Sequence, residues 1–418
     1  FPNERGQYNY STDLLPSGLL RDPKSNYGAI TKSIKNDTDF DRTNIQYIEF
    51  WLMDPFIDGE NGKVLDGIFN KNNSTGGKLI FNLGNISEDI MKDNVHSFEN
   101  GLSQDYSNEG IKFNEWGRVT TKQYLTNFFE NDENARLNQD VGLDGLKSSD
   151  EADYFKENFL DKINLTSEVK NIIEQDVSAD NFKYYLGSNL DNLNLKILER
   201  YKNINGMEGN TPLSTNSNFS SQGSPYPENE DLNEDNTLSD TESFYEYEID
   251  LRPGSLEIGR NNIVDKIIDK SGTATWYQFR IPIRNPDRVY GSISDFKTIR
   301  FIRTYLTDWE EPTVLRFAKL QMVGSQWRKY EESLFQSGLN EVSEGTESNI
   351  EISVVGIEEN SIGSDNKSPY VVPPGIPRDI DNTTIVQRRT NEQSLQLCFD
   401  NLSDGDGRAI YKESNFDL

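Results

Sequence analysis

The chain has 418 residues, with 42 lysines and arginines against 70 aspartates and glutamates, one cysteine and one histidine. The formal charge of −28 argues against a nucleic-acid or anionic-membrane ligand, because neutralising phosphates needs clustered cations. Because Cys398 is the only cysteine, the chain cannot form an intrachain disulfide. With His96 as the only histidine, a zinc site would also lack its usual ligands. At about 150 residues per domain, the length predicts two or three domains.

The chain carries no transmembrane or targeting signal. No stretch approaches the ~20 apolar residues of a membrane-spanning helix, and no charged-then-apolar signal segment opens the chain. His96 lies in polar sequence and is interpreted as a hydrogen-bonded surface residue rather than a catalytic one. Because the chain starts at Phe1 and not at Met, we expect a soluble piece cut from a longer polypeptide.

The elements predicted along the chain are mainly strands. Seven segments are short, rich in aromatic and β-branched residues, and bounded by Gly, Pro, Asn and Asp clusters. This pattern predicts a mainly antiparallel β protein. The segments are 44–54, 78–83, 244–251, 275–283, 298–306, 314–323 and 349–357.

Two of these segments resemble each other. Residues 45–54 (IQYIEFWLMD) align with residues 299–308 (IRFIRTYLTD) at an offset of 299 − 45 = 254 residues. In each copy a second alternating strand follows, with Leu79 in the first and Leu315 in the second. The alternating apolar faces predict two related jelly-roll-like antiparallel β-sandwich units. Coincidence between amphipathic strands is the alternative, since period-2 patterns recur widely.

The region between the two predicted units changes character. Apolar residues recur at helical spacing through residues 149–200, which predicts a helical insertion. The Gly-, Asn-, Ser-, Pro- and acid-rich stretch that follows predicts a disordered acidic linker. The predicted organisation is a first β-sandwich unit at 1–119, a helical insertion at 120–204, an acidic linker with a calcium-like loop at 205–243, a second β-sandwich unit at 244–332, and extended tail strands at 333–418.

The end of the predicted linker contains a calcium-loop pattern. Oxygen-bearing side chains stand at alternating positions, as calcium coordination requires, and the last can chelate with both oxygens. Asn236 replaces the usual glycine at the sixth position, but asparagine tolerates the left-handed conformation needed there. The alternative is an acidic turn in an acidic chain. The predicted ligands at positions 1, 3, 5, 7, 9 and 12 are Asp231, Asn233, Asp235, Thr237, Ser239 and Glu242.

Other chemistry has weaker signals. Four tryptophans, Trp51, Trp276, Trp309 and Trp327, are candidates for a sugar-stacking platform. Trp51 and Trp276 lie within predicted strands and are expected in the core, whereas Trp309 lies beside Asp308 in a turn and is expected to be exposed. An exposed tryptophan could stack on a sugar. No carboxylate pair stands out from the acidic background, and no phosphate-binding loop or nucleophile elbow is present, so the prediction is a protein that is not an enzyme.

Longer stretches of the sequence resemble one known family. The chain is similar over essentially its whole length, in collinear order, to the SprA/Sov family, the outer-membrane translocon of the Bacteroidetes type IX secretion system. Characteristic words are YIEFWLMDPF at 47–56, LIFNLGNISEDI at 79–90, SFENGL at 97–102, QDVGLDGL at 139–146, ILERYKNINGMEGN at 197–210, IRFIRTYLTDW at 299–309, LRFAKLQMVGSQWRKY at 315–330, PPGIPRDI at 373–380 and NEQSLQL at 391–397.

The resemblance implies a function for the chain. Family members are large β-barrels that pass folded cargo across the outer membrane and support gliding motility. The chain lacks a long series of lipid-facing strands, so the resemblance implies a soluble region, part of the extracellular cap at the cell surface. Its partners would be secretion components and cargo. The alternative is a pair of carbohydrate-binding modules, argued from fold analogy, and an acidic glycosidase ranks last.

Overall fold

A computed structural model gives the architecture of the chain. Its residues fall into two compact units, the first comprising residues 1–34 and 47–321 and the second residues 35–46 and 322–418. The structure describes residues 1–35, 37–121, 127–213, 226–324, 327–330, 334, 349–357, 370–375, 378, 380–381, 388–389, 393–400 and 407–412.

Strands dominate the described residues, and each of the seven predicted strands is present with small shifts at its ends. The strands before residue 130 are β1 (Tyr27–Ser33), β2 (Ile45–Met53), β3 (Lys63–Val64), β4 (Lys71–Asn72), β5 (Gly77–Asn85), β6 (Ile111–Phe113) and β7 (Arg118–Thr120). Those after residue 240 are β8 (Ser243–Leu251), β9 (Ile263–Ile268), β10 (Thr275–Pro282), β11 (Arg288–Tyr290), β12 (Phe301–Thr307), β13 (Phe317–Gly324), β14 (Arg328–Lys329), β15 (Asn349–Gly356), β16 (Ile380–Asp381), β17 (Arg388–Arg389), β18 (Gln393–Asp400) and β19 (Ile410–Tyr411).

The helices are short and cluster in the predicted helical insertion. Side-chain caps begin two of them, because Asp132 accepts a hydrogen bond from the amide of Ala135 and Thr166 from that of Val169. The α-helices are α1 (Glu133–Gln139), α2 (Ser148–Tyr154), α3 (Ser167–Ile173), α4 (Ser188–Asn192) and α5 (Ile197–Tyr201), with a π-helical turn at Lys156–Leu160 and 3₁₀ turns at Pro23–Ser25 and Glu99–Gly101.

Two sheets of the first unit form a β-sandwich. One has five strands in the order β1-β12-β5-β8-β11, and the other has four in the order β13-β2-β10-β9. The ring of Phe50 in β2 stacks on that of Phe279 in β10, with centroids 4.9 Å apart, and lies 5.4 Å from Phe81 of the five-stranded sheet. All three side chains are fully buried, so the aromatic contact joins the two sheets across the core.

The sandwich corrects the prediction of two separate sandwich units. The repeated strands are β2 followed by β5 and β12 followed by β13, yet β12 pairs with β5, and β13 lies beside β2. Each repeat therefore contributes one strand to each sheet. Alternation along a strand shows which face is buried but does not identify the neighbouring strand, which is why the sequence suggested two units.

The helical insertion has a core of its own. Phe155, Phe159 and Ile163, which the sequence placed at helical spacing, are buried together with Leu14 and Leu20 from the start of the chain. The ring of Tyr10 stacks on that of Phe155 with centroids 4.4 Å apart. The N-terminal segment thus packs on the insertion.

The prediction of a disordered linker is wrong for its described residues, 205–213 and 226–243. Asn210, Thr211, Glu230 and Asp231 are buried. Their polar groups are satisfied by specific hydrogen bonds, for example from the amide of Thr211 to Asp140 Oδ2 at 3.0 Å. Polar composition indicated disorder, but these residues fold because buried carboxylates of neighbouring segments accept their amide hydrogens.

The second unit contains the tail strands. Strand β15 pairs with β18 in an antiparallel register that runs from Asn349 opposite Asp400 to Gly356 opposite Gln393. Residues 394–399, which belong to the predicted tail strands, therefore lie within a strand. The proline-rich part of the predicted tail, residues 369–378, lies partly outside the described residues.

Candidate functional site

The predicted calcium loop folds as a series of tight turns. Asp231 is buried and accepts hydrogen bonds from the amides of Asp235 and Asn236, at 3.1 and 2.7 Å. Asn233 Oδ1 accepts from the amide of Asp235 at 2.8 Å, and Asp235 Oδ1 accepts from that of Thr237 at 2.9 Å. Asn236 has a φ of +63°, the left-handed conformation that the sequence assigned to it. The loop oxygens thus hold backbone amides.

The last predicted ligand, Glu242, has a cationic partner. Both of its carboxylate oxygens accept hydrogen bonds from Arg303, at 3.0 and 3.1 Å, and Oε1 also accepts from the amide of Ser87 at 3.2 Å. A calcium ion chelated by Glu242 would have to displace this bidentate pair. Calcium binding by Asp231, Asn233, Asp235, Thr237 and Glu242 stays a prediction.

Two buried glutamates that the sequence did not single out anchor this segment. Glu88 accepts hydrogen bonds from the amides of Asn233 and Ser239, both at 3.1 Å. Glu230 accepts from the amides of Ile90 and Ser97, both at 2.8 Å, and from that of Met91 at 3.1 Å. Burial raises the pKa of Glu230 to about 7 despite these bonds. Together they join the segment after residue 226 to the loop that follows β5.

Trp309 is buried, which corrects the prediction of an exposed aromatic platform. Its side chain is only 3% exposed, its Nε1 donates to the carbonyl oxygen of Lys78 at 3.0 Å, and its ring stacks on Phe56. Backbone curvature after β12, where Asp308 has a φ of +61°, turns the ring into the sandwich. The carbohydrate-binding alternative therefore loses one of its candidate residues.

A second group of acidic residues lies in the helical insertion. We define the buried carboxylate cluster as Asp144, Glu151, Asp176 and Asp180. Glu151 and Asp180 are 0% exposed and Asp144 is 1% exposed, whereas Asp176 is partly exposed. One oxygen from each of Glu151, Asp176 and Asp180 lies within 4.8 Å of the other two, and no other acidic trio among the described residues does so.

Gly142 lets the backbone pass close to the buried carboxylate cluster. Gly142 has a φ of +76°, and a Cβ atom there would come within 2.3 Å of Asp180 Oδ2 and 2.8 Å of the Tyr8 hydroxyl. Tyr8 donates from that hydroxyl to Asp180 Oδ2 at 2.9 Å and accepts from the amide of Leu143 at 2.9 Å. Only glycine therefore fits at position 142.

Hydrogen bonds satisfy part of the cluster. Ser178 donates from its amide to Glu151 Oε2 at 2.8 Å and from its hydroxyl to Asp144 Oδ2. Asp176 Oδ1 accepts from the amide of Asp180 at 3.0 Å. Burial, followed by mutual repulsion between the carboxylates, raises the pKa of Asp144 well above its usual range, that of Glu151 to about 7 and that of Asp180 to about 8.

The sequence contained a weak signal for this cluster. Asp140 and Asp144 stand out as an acidic turn in a Gly-rich stretch, but such turns are common in this chain. Of these two only Asp144 belongs to the cluster, and Asp176 and Asp180 join it only through the tertiary fold, 176 − 144 = 32 and 180 − 144 = 36 positions further along the chain. Spacing along the sequence could not show that contact.

Comparison with known proteins places the chain in a family. Residues 158–418 match the SprA_N family model, described as a motility-related/secretion protein. The chain belongs to this family. No curated protein matches the chain. The resemblance noted in the sequence is thereby confirmed, and the family is one of motility and secretion rather than of enzymes.

The SprA_N match divides the sites described above. It contains the calcium-like loop, β8 to β19, and Asp176 and Asp180 of the buried carboxylate cluster, whereas Asp144 and Glu151 precede it. Among the described residues of this SprA_N member, no helix is both long and apolar enough to cross a membrane.

Proposed function

We propose that this chain is a soluble, non-enzymatic region of the type IX secretion translocon, located at the extracellular mouth of the outer-membrane barrel. There it supports the export of folded proteins and gliding motility. The observation that carries the proposal is the match of residues 158–418 to a motility and secretion family. The sandwich and the insertion packed against the N-terminal segment suit a rigid block, and the formal charge of −28 keeps its surface hydrated.

Export is the first property to test. We would remove residues 1–418 in frame from the full-length parent and measure secreted cargo in the medium and colony spreading. Cargo should accumulate inside the cells and spreading should stop, while the parent remains in the outer-membrane fraction. Normal secretion by a deletion protein present at normal levels would refute the role in export.

Location is tested separately by thiol labelling of intact cells. Cys398 is the chain's one cysteine, so Cys398→Ser in a parent without other cysteines gives a background free of thiols. Lys270→Cys adds an exposed thiol in the turn between β9 and β10, and Leu52→Cys is its buried control. A membrane-impermeant maleimide should label position 270 on intact cells and leave position 52 unlabelled. Labelling of position 270 only after lysis would place the region inside.

A further inference from the structure

The buried carboxylate cluster has oxygens that its surroundings leave without a partner. Glu151 Oε1 and Asp180 Oδ1 are buried and have no hydrogen-bond partner. Both side chains are 0% exposed, so water does not reach these oxygens from the surface. A buried carboxylate oxygen without a partner is energetically unfavourable, so two of them in one cluster point to a ligand that supplies positive charge.

The side chains near the cluster do not supply that charge. No ion pair joins a lysine or arginine to its four carboxylates in the part of the chain that the structure describes. Arg5 lies in the electrostatic range of Glu151 and Asp176, but its guanidinium donates to the carbonyl oxygens of Asn9 and Val177. Tyr8 and Ser178 donate neutral hydrogen bonds.

We propose that Glu151, Asp176 and Asp180 bind a hard divalent cation, with calcium as the favoured ion. The donors are all oxygens, which Ca²⁺ and Mg²⁺ prefer. The three oxygens lie within 4.8 Å of one another, close enough for a single ion to contact all of them. Asp176 and Asp180 also lie on an irregular segment, with Ala179 at a φ of +54°, which suits the flexible geometry of calcium.

Protons are the competing ligands for these oxygens. Burial and mutual repulsion favour the neutral forms of Glu151 and Asp180, which Tyr8, Asp144, Asp176 and Glu208 also face. A cation held by the three carboxylates replaces those protons, so metal binding should release protons and weaken as the pH falls.

The purified 418-residue chain provides the test. After removal of metal by a chelator, the melting temperature would be followed during titration with CaCl₂, and in parallel with MgCl₂, at constant ionic strength. Calcium should raise the melting temperature by several degrees, and more than magnesium does. If neither ion shifts the melting temperature at millimolar concentration, the proposal is overturned. If only magnesium shifts it, the assignment of calcium as the favoured ion is overturned.

Three variants locate the effect. The double variant Glu151→Gln and Asp180→Asn keeps the side-chain shapes and should abolish the calcium shift, while Asp153→Asn on the same helix is the exposed control and should retain it. The pair Asp231→Ala and Glu242→Ala should also retain it. Circular dichroism checks that each variant folds.

Tyrosine-sensitised terbium luminescence is a second readout, because Tyr8 contacts Asp180. The luminescence should be lost only in the double variant Glu151→Gln and Asp180→Asn. If luminescence or stabilisation by calcium survives in that double variant, the ion binds at another site.

Discussion

Arg303 donates from Nη1 and Nη2 to the two oxygens of Glu242, at 3.0 and 3.1 Å, and from Nε to Asn82 Oδ1 at 2.8 Å. This arginine of β12 therefore holds the last residue of the predicted calcium loop against the five-stranded sheet. Its charge occupies the two oxygens through which Glu242 would chelate calcium.

The pair gives a prediction for the calcium loop. If the loop binds calcium, Arg303→Ala should tighten binding by up to about five-fold, because a partly exposed pair is worth about 0.2–1 kcal/mol. Isothermal titration calorimetry measures the change, in the Glu151→Gln and Asp180→Asn background so that the other candidate site is silent. Arg288→Ala, which breaks a similar pair with Glu246, is the control and should leave affinity unchanged. If the heat of calcium binding is unchanged when Asp231→Ala and Glu242→Ala are added, the loop does not bind calcium.

Gly77 tests how tightly Trp309 is packed. A Cβ atom at this position would lie 2.4 Å from the indole ring, so Gly77→Ala should lower the free energy of unfolding by about 1–3 kcal/mol. Urea denaturation followed by tryptophan fluorescence measures the loss. Gly28→Ala in edge strand β1, where nothing lies within 4 Å of the added atom, is the matched control. Equal stability of the two variants would contradict the packing described here.

Asp140 makes stability depend on pH. Burial raises its pKa to about 6 from the ordinary 3.8, while the amide hydrogen bond from Thr211 opposes the shift. The folded state therefore holds this proton more tightly, and the stability it contributes is present below pH 3.8 and is lost as the pH rises through 6. The loss is on the order of a few kcal/mol and is shared with Glu99, whose pKa is raised by burial and by the charge of Asp140.

Asp140→Asn checks this dependence. The asparagine side chain keeps an oxygen that accepts from the amide of Thr211 but has no charge. The fall in unfolding free energy between pH 4 and pH 7 should therefore be smaller than in the wild-type chain. Denaturant titrations across that range measure it, with Asp105→Asn as the exposed control. Parallel curves for the wild-type chain and Asp140→Asn would show that Asp140 does not titrate in this window.

Glu230 makes a local prediction. Glu230→Ala removes the acceptor of three amides, those of Ile90, Met91 and Ser97, and each unsatisfied buried amide costs about 1–3 kcal/mol. Hydrogen exchange of residues 90–97 should speed up well before the sandwich strands change. Asp240→Ala, an exposed acid in the same segment, is expected to leave exchange as it is. Uniformly faster exchange throughout the chain would mean that Glu230 supports the whole fold rather than this loop.

Sequence patterns predicted the local structure well. Alternation located the strands because it depends only on which side chains face the core, as with Phe50 and Phe279. Helical spacing located Phe155 and Phe159 for the same reason. The family words at 197–210 and 315–330 predicted the family, which the match to SprA_N confirms.

What the sequence could not predict depends on distant contacts. Trp309 lies in a turn that looks solvent-exposed, and only the approach of Gly77 and Phe56 buries it. Acidic residues are so frequent that Glu151 and Asp180 carry no local mark. Their burial follows from the packing of the N-terminal segment, through Tyr8, onto the insertion.

The interleaving of the repeated strands has a consequence for synthesis. Strand β2 ends at residue 53, but its two neighbours begin at residues 275 and 317, and β5 ends at residue 85 while its neighbours begin at 243 and 301. At about 5–20 residues per second, a ribosome needs roughly ten to forty seconds to make the chain between β2 and β10. Strand β5 therefore has no partner until residues 243–251 are made and β2 has none until residues 275–282 are made, whereas the insertion core, which includes Leu14, Phe155 and Val177, is complete by residue 177. The insertion is therefore the first part of the chain whose core contacts can all form in the order of synthesis.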